Sequence, residues 1–156
     1  MIKAHKKYYI LGEGTNIIPP SFYDGLILKV DFNNISNDNN LLSVGASYNW
    51  SELVAFCIKE NINGFENLID IPGSVGASPI QNIGAYGAEV SRLIDSIDYF
   101  CLDSFSKKSF GPVSQSDENI NVLDIADSIK TKPGSSHKED STKQYECIKY
   151  SLTLSL

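Results

Sequence analysis

The feature that most constrains this chain is an uncharged stretch of sixteen residues, 72–87, with four glycines and two prolines. It reads Pro-Gly-Ser-Val-Gly-Ala-Ser-Pro-Ile-Gln-Asn-Ile-Gly-Ala-Tyr-Gly. Glycine and proline at this density disfavour the interior of a helix or a strand. The stretch therefore predicts a glycine loop, either a plain Ω-loop or a loop whose backbone N–H groups meet a ligand.

A second glycine loop, Gly-Glu-Gly-Thr-Asn at residues 12–16, lies near the start of the chain. The apolar residues 8–11 before it predict a buried strand, and Pro19-Pro20 after it bars a helix. This order of strand, loop and extended chain differs from the strand–loop–helix unit of Rossmann and P-loop proteins. A Gly-x-Gly turn is by itself a common β-turn, and the chain has no Gly-Lys-Ser/Thr, so a P-loop nucleotide site is the least supported alternative.

Alternating or continuous apolar residues predict three further strands in the first part of the chain. They are expected at residues 25–30, 41–46 and 96–102, with a polar turn at residues 33–40. Residues 89–95 predict a turn or a short helix. This mixture of strands with little helix favours an α+β fold.

Residues 50–60 carry apolar side chains at helical spacing and predict a helix that packs on the core. Asn49 or Ser51 is expected to cap its start, because both side chains can accept a backbone N–H bond. Asn63-Gly64 is expected to close it.

The chain is short enough for one domain, and its character changes along its length. The core is expected in residues 1–102. Residues 103–144 are polar and rich in serine and lysine, with one apolar group at residues 123–129. Residues 145–156 return to a strand pattern and are expected to close the same domain.

The composition limits the possible partners. The net charge is −6, from 13 basic and 19 acidic residues, so the surface repels a phosphate backbone on average and no nucleic-acid partner is expected. No run of about 18 apolar residues is present, and the N-terminus lacks a signal-peptide core. We therefore expect a cytoplasmic protein without a membrane partner.

The cysteines and histidines give little basis for metal or nucleophilic chemistry. Cys57, Cys101 and Cys147 are widely spaced and contain no Cys-x-x-Cys pair, so reduced thiols are expected rather than disulfides. The two histidines, His5 and His137, both lie in polar sequence. Neither a metal site nor a Ser-His-Asp triad is expected.

The two glycine loops can together hold a diphosphate without a basic side chain. Glycine lets the backbone approach closely, and consecutive N–H groups form an anion cradle. Neutral hydrogen-bonding side chains lie within the same loops, and one aromatic ring adds to them: Thr15, Asn16, Ser74, Ser78, Gln81, Asn82 and Tyr86.

Three blocks of sequence resemble the FAD-binding domain of the UDP-N-acetylenolpyruvoylglucosamine reductase family (UDP-N-acetylmuramate dehydrogenase, MurB). They are Ile-Leu-Gly-Glu-Gly-Thr-Asn at residues 10–16, Gly-Phe-Glu-Asn-Leu at residues 64–68, and the stretch at residues 71–87. Their order and separation also resemble the family. The similarity extends over residues 8–100, about 60% of the chain.

The resemblance implies an α+β FAD-binding domain of the vanillyl-alcohol-oxidase/MurB type. In the family, NADPH reduces FAD, and the flavin passes a hydride to the enolpyruvyl double bond of a UDP-sugar in cytoplasmic peptidoglycan (cell wall) synthesis. Carried over by motif, the expected FAD contacts are Gly12, Gly14, Thr15, Asn16, Gly73, Ser74, Val75, Gly76, Ser78, Gln81, Asn82, Gly84, Ala85, Tyr86 and Gly87.

The chain departs from the family in three places. Only residues 1–7 precede the first strand, where family members carry a βαβ portion, so the domain is expected to be incomplete at its N-terminus. The family's substrate domain, with its proton-donating serine and its glutamate, has no counterpart. The family's Tyr-Arg-Asp-Ser-Ile segment best matches residues 125–129, where Ala126 replaces the arginine, and Arg92, the only arginine, lies elsewhere.

No catalytic residue is therefore assigned. Because losing one such donor costs on the order of 10²–10³ in rate, little reductase activity is expected from the chain alone.

Three hypotheses remain open. The leading one is a truncated reductase-like protein that binds a flavin nucleotide. The second is one half of a split flavin reductase, whose partner chain supplies the missing parts. The third is a non-enzymatic remnant, in which an open sheet edge favours self-association or binding of another protein.

Overall fold

The computed structural model of the chain describes residues 7–38, 40–102, 105–111 and 147–155. Strands dominate these residues and one α-helix packs beside them, so the predicted α+β class is confirmed. The strands in chain order are β1 (Tyr8–Leu11), β2 (Leu26–Lys29), β3 (Ile35–Asp38), β4 (Leu41–Gly45), β5 (Gly84–Ala85), β6 (Ala88–Glu89), β7 (Ile94–Cys101), β8 (Ser106–Phe110) and β9 (Cys147–Ser155).

The main sheet has five antiparallel strands in the order β3-β4-β9-β7-β8. A strand, β9, forms within the C-terminal segment at residues 145–156, and it lies at the centre of the sheet between β4 and β7. Leu42 of β4 is the register partner of Leu154 of β9, and both side chains are fully buried. The sheet therefore joins the first half of the chain to its last residues.

The helix α1 (Trp50–Lys59) packs its apolar side chains into the core. Trp50, Leu53, Val54 and Cys57 recur at helical spacing, and all are buried. The predicted cap is confirmed at Asn49, whose side-chain oxygen accepts the N–H of the third residue of the helix at 3.1 Å.

The predicted helix end is displaced. The helix ends at Lys59, and Asn61 adopts a left-handed backbone conformation with φ 58°. Asparagine tolerates this conformation better than most residues, so it turns the chain earlier than the expected glycine. Gly64, at φ 103°, serves the next turn, where its N–H donates to the Glu66 carboxylate at 2.8 Å.

The prediction of a plain polar turn at residues 33–40 is wrong, because β3 forms within it. Ile35 pairs with Val44 of β4 and packs against the core, whereas the other three residues of β3 are exposed. Strand β8 was also not predicted, because it lies in the polar segment and carries Lys107 and Lys108. Both strands are edges of the sheet, where polar and charged residues are usual.

Strands β1 and β2 form a separate two-stranded parallel sheet. The chain between them contains no helix, which confirms the predicted order of strand, glycine loop and extended chain. Several large apolar side chains beside this sheet are exposed, including Ile18 (98%), Phe22 (79%) and Ile27 (55%). The parallel sheet is therefore less covered than the five-stranded sheet.

The stretch at residues 72–87 is more regular than the predicted loop. It contains a 3₁₀ helix, Val75–Ile80, followed by the β5–β6 hairpin. The 3₁₀ helix accommodates Pro79 and is buried at Val75, Gly76, Ser78 and Pro79. A short 3₁₀ helix tolerates proline because few intrahelical bonds are needed, which explains why the composition did not reveal it.

Within the described ranges, no helix is long and apolar enough to cross a membrane. The apolar group at residues 123–129 lies outside the described residues. It includes residues 125–129, the best match to the family's arginine segment. Most of the polar segment at residues 103–144 also lies outside them.

Candidate functional site

The two glycine loops lie against each other. A Cβ at Gly12 would stand 3.6 Å from Ser74 Oγ, and a Cβ at Gly73 would stand 3.8 Å from Thr15 Oγ1. The first loop leaves the end of β1, whereas the second precedes a buried 3₁₀ helix. Two segments about 60 residues apart in sequence therefore meet at one place.

Backbone hydrogen bonds fix the second loop to the segment before α1. Trp50 N–H donates to Gly73 O at 3.0 Å, and Val75 N–H donates to Tyr48 O at 2.9 Å. Asn49 and Ser74 are thereby paired as an isolated antiparallel bridge. The same line of bonds continues to Gly76, whose N–H donates to the Ala46 carbonyl at 2.8 Å.

Gly76 is required by close backbone packing. A Cβ at this position would lie 2.7 Å from Ala46 Cβ and 3.0 Å from the Ala46 carbonyl oxygen. Gly73 is required for a different reason, since its φ of 133° lies outside the range that side-chain-bearing residues favour. Gly76 thus allows the second loop to pack closely on Ala46, and Gly73 allows its turn.

A cavity of about 270 Å³ opens between the loops and carries no charged side chain in its lining. Its walls combine neutral hydrogen-bonding groups with apolar surface. This combination suits a ligand with both polar and flat apolar parts. The lining residues are Thr15, Asn16, Trp50, Ile71, Pro72, Gly73, Ser74, Ala77, Ser78, Gln81 and Ile83.

A second cavity, of about 150 Å³, lies on the other side of Ser74, which lines both. It is the charged one: Glu13, Lys29 and Asp31 face it. Carboxylates there can accept hydrogen bonds from hydroxyl groups. Because Ser74 lines both cavities, the two cavities can be treated as neighbouring parts of one candidate site.

Hairpin β5–β6 projects beyond the first cavity. Its two turn residues, Tyr86 and Gly87, have φ of 52° and 81°, the pattern of a two-residue type I′ turn. Tyr86 is 91% exposed. A bulky residue in the left-handed region costs roughly 1–3 kcal/mol, and such strain is concentrated at functional sites.

Asn82 is committed to the base of this hairpin. Its Nδ2 donates to Glu89 Oε2 at 3.1 Å, and its Oδ1 accepts the Ser91 N–H at 3.2 Å. The side chain therefore orients the hairpin relative to the 3₁₀ helix.

The predicted contacts fall into five groups. Thr15, Asn16, Gly73, Ser74, Ser78 and Gln81 line the first cavity, and Gly12 lines the second with Ser74. Gly14 lies in the first loop between them. Val75 and Gly76 are buried in the 3₁₀ helix below. The remaining residues belong to the hairpin or its base: Asn82, Gly84, Ala85, Tyr86 and Gly87.

Sequence reasoning did not assign Trp50 or Asn49 to the site. Trp50 was interpreted only as a core residue, and it is indeed 1% exposed, with Nε1 donating to Leu68 O at 2.8 Å. Trp50 is nevertheless among the residues that line the first cavity. The available signal was its position, directly after the Asn49 cap at the first residue of α1.

The described residues supply no other reactive centre. None of them forms a group of three or more His, Cys, Asp or Glu side chains that could hold a metal ion. Cys57 is a buried thiol, and burial raises its pKa to about 11, with a further contribution from the negative charge of Glu66. A thiol with so high a pKa is a poor nucleophile.

A site of this kind, with backbone-lined glycine loops around an uncharged cavity, belongs to the class of nucleotide-cofactor domains that use few basic side chains. More specifically, the chain belongs to the FAD binding domain family, which it matches over residues 2–101.

Individual relatives refine this assignment. The chain is 44% identical over 107 residues to the UDP-N-acetylenolpyruvoylglucosamine reductase of Pseudoalteromonas atlantica, covering 65% of this chain and 31% of that protein. It is 46% identical over 93 residues to the enzyme of the same name from Amoebophilus asiaticus, covering 56% and 27%. The chain thus spans about a third of the length of the curated relatives that it matches.

The fold also has a solved counterpart. The crystal structure of UDP-N-acetylenolpyruvylglucosamine reductase (MurB) from Thermus caldophilus aligns with a TM-score of 0.62 at 17% identity, covering 94% of this chain and 47% of that one. The expected resemblance to the FAD-binding domain of this reductase family is confirmed.

Proposed function

We propose that this chain binds FAD, with the diphosphate held where the two glycine loops meet. The observation that carries the proposal is the approach of the two loops: a Cβ at Gly12 would lie 3.6 Å from Ser74 Oγ, and Ser74 lines both the uncharged and the charged cavity. The remaining motif residues of both loops and of the Tyr86 hairpin are proposed to contact the rest of the cofactor.

The chemistry of the donor set fits this cofactor. Thr15 and Ser74 offer hydroxyl groups, and Asn16 offers an amide, beside glycines that leave the backbone accessible. The N-terminus of α1 lies beside Gly73, and its partial positive charge favours an anion there. Bound FAD would supply hydride-transfer chemistry, while this chain supplies orientation and an uncharged environment.

We further propose that the chain acts as the flavin-binding part of an oxidoreductase of peptidoglycan synthesis, with NADPH as reductant and the cytoplasm as its location. The support is the name that these relatives carry, UDP-N-acetylenolpyruvoylglucosamine reductase, combined with the match of the chain to about a third of their length. Full reductase activity is not expected from this chain alone.

The absorbance spectrum tests flavin binding directly. The purified chain is mixed with FAD and passed through a gel-filtration column, and a flavin band that elutes with the protein is expected. Gly12→Val is expected to weaken binding by roughly tenfold or more, about 1.4 kcal/mol, because the added side chain would fill the space beside Ser74. Gly12 has no left-handed φ, so the change adds bulk without backbone strain.

Ile58→Ser is the matched control, because Ile58 is 45% exposed on α1 and lines neither cavity. It should elute with the same flavin band as the wild type. A wild-type protein that elutes colourless, at concentrations where a reference reductase retains its flavin, would contradict the proposal.

A second candidate, one half of a split flavin reductase, is favoured by the exposed apolar residues beside the β1–β2 sheet. Ile18 and Phe22 are the most exposed of these. Parallel strands are normally covered on both faces, so a second polypeptide is a suitable cover. Mixing the chain with a protein that carries the substrate domain should restore NADPH oxidation if this candidate is correct, and Phe22→Ser should reduce the effect.

A further inference from the structure

Asn49 lies where three parts of the molecule meet. Its side-chain nitrogen lies 3.2 Å from Glu13 Oε2, in the first glycine loop. Its side-chain oxygen accepts the Glu52 N–H at 3.1 Å and so caps α1. Its backbone forms the antiparallel bridge to Ser74 of the second loop.

We propose that Asn49 is a positioning residue that sets the separation of the two glycine loops, with Glu13 as its partner. It acts through the loops and does not itself contact the ligand. The proposal deepens the function proposed above and rests on it, because the separation of the loops fixes the width of the diphosphate cradle.

The asparagine side chain has both a donor and an acceptor, and Asn49 uses both. Asparagine, aspartate and serine cap helices about equally well, so capping alone does not require asparagine. Here the cap occupies the oxygen, and the amide nitrogen donates to the Glu13 carboxylate. An aspartate would have no donor for Glu13, and a serine would have to serve both contacts through one oxygen on a shorter side chain. Of these three caps, asparagine is therefore the one that serves both contacts through separate atoms.

The first loop depends on this contact more than the second does. Residues 12–16 are all exposed, whereas Ser74, Val75 and Gly76 are buried and fixed by backbone bonds. A hydrogen bond between a neutral group and a carboxylate is among the stronger side-chain contacts. Glu13–Asn49 thus anchors an exposed loop to a fixed one.

The decisive variant is Asn49→Asp. Aspartate keeps the cap, but it removes the donor and places a second carboxylate beside Glu13, which repels it. We expect the FAD dissociation constant to rise roughly tenfold or more, while the melting temperature changes little.

The double variant Glu13→Gln/Asn49→Asp reverses the pair, because the glutamine amide can donate to the new aspartate. Because Glu13 also faces the second cavity, recovery is judged against Glu13→Gln alone: in that background Asn49→Asp is expected to cost little affinity. Ser51→Asp is the charge control: it adds a carboxylate in the first turn of α1, at a residue that lines neither cavity. It should leave the affinity within about twofold.

Two measurements separate the outcomes. Titration of flavin fluorescence gives the affinity, and amide hydrogen exchange of the flavin-free protein reports on residues 12–16. Faster exchange of this loop in Asn49→Asp, reversed in the double variant, supports the link even if the wild type binds no FAD, in which case only the proposed function fails.

Two results would overturn the inference. One is unchanged exchange and unchanged affinity in Asn49→Asp. The other is an equally large loss from Asn49→Asp in the wild-type and Glu13→Gln backgrounds, since that would show a general disturbance of the helix start rather than a paired contact.

Discussion

The two glycine loops of the site are held in different ways. Residues 73–76 lie against residues 46–50 through a series of backbone hydrogen bonds and are largely buried. Residues 12–16 are exposed, and Glu13 among them accepts a hydrogen bond from the Asn49 side-chain amide at 3.2 Å. The loop at residues 73–76 is therefore part of the core, whereas the loop at residues 12–16 lies on the surface against it.

Because of this difference, we expect the buried loop to affect mainly the stability of the fold and the exposed loop to affect mainly ligand affinity. Changes in the buried loop should act first on folding, because neighbouring side chains cannot relax in a packed core. Changes in the exposed loop should act on ligand affinity and leave folding nearly intact. Substitutions in the two loops, and in the core beside them, therefore test whether stability and ligand affinity depend on different residues.

Trp50→Ala should be strongly destabilising, because it removes the largest fully buried side chain behind the second loop. The Leu68 carbonyl would also lose its 2.8 Å hydrogen bond from Trp50 Nε1. Truncation of a buried tryptophan costs about 3–5 kcal/mol, measured as the free energy of unfolding in urea. Trp50→Phe retains much of the packing and should cost less. An equal loss in the two variants would show that the hydrogen bond, rather than the volume, is decisive.

Gly76→Ala and Gly12→Ala form a matched pair across the two loops. The methyl group at position 76 would lie 2.7 Å from Ala46 Cβ, whereas the one at position 12 would lie 3.6 Å from Ser74 Oγ. Overpacking costs about 1–3 kcal/mol at the first position, and a surface change is within about 0.5 kcal/mol at the second. Thermal unfolding monitored by circular dichroism measures both. Equal destabilisation by the two substitutions would contradict the proposed division.

The same contrast explains what the sequence could predict. Strand β1, helix α1 and its Asn49 cap followed from apolar spacing and local chemistry. Strands β3 and β8 did not, because edge strands bury one side of only a few residues and their sequences are polar. Their formation depends on a partner strand that the local pattern does not contain.

The site followed from the sequence only in part. The glycines marked both loops, but the meeting of the loops is a tertiary fact, since residues 12 and 74 are far apart in the chain. The bond between Asn49 and Glu13 likewise spans 36 residues. A cap residue and an exposed glutamate have ordinary local interpretations, so nothing in the sequence alone distinguished them.

Tyr86→Asn should stabilise the hairpin by about 0.5–1 kcal/mol, since asparagine favours the left-handed turn position that Tyr86 occupies at φ 52°. The side chain is 91% exposed, so its removal leaves no cavity. If Tyr86 serves the ligand, flavin affinity should fall while the melting temperature rises. Tyr86→Phe separates ring from hydroxyl. A gain in stability with unchanged affinity would leave the strained tyrosine without a role in binding.

A smaller effect, confined to alkaline solution, concerns Cys57, a buried core side chain of α1. Burial, followed by the charge of Glu66, raises the pKa of this thiol from 9.0 to about 11 in the folded chain. Between these values the unfolded chain releases a proton that the folded chain keeps, so folding stability must fall as pH rises from about 9 towards 11. Below pH 9 the thiol is protonated in both states and contributes no slope.

Cys57→Ala isolates this contribution, because it removes the thiol while every other titrating group remains. Urea unfolding of both proteins at pH 7.5, 9 and 10.5 should give a steeper alkaline loss of stability for the wild type than for the variant. The variant will be less stable at neutral pH, since it leaves a small cavity, but only the difference in slope is diagnostic. Parallel pH profiles would mean that the thiol is accessible to water in the folded state, and the core around α1 would then be looser than the burial of Cys57 indicates.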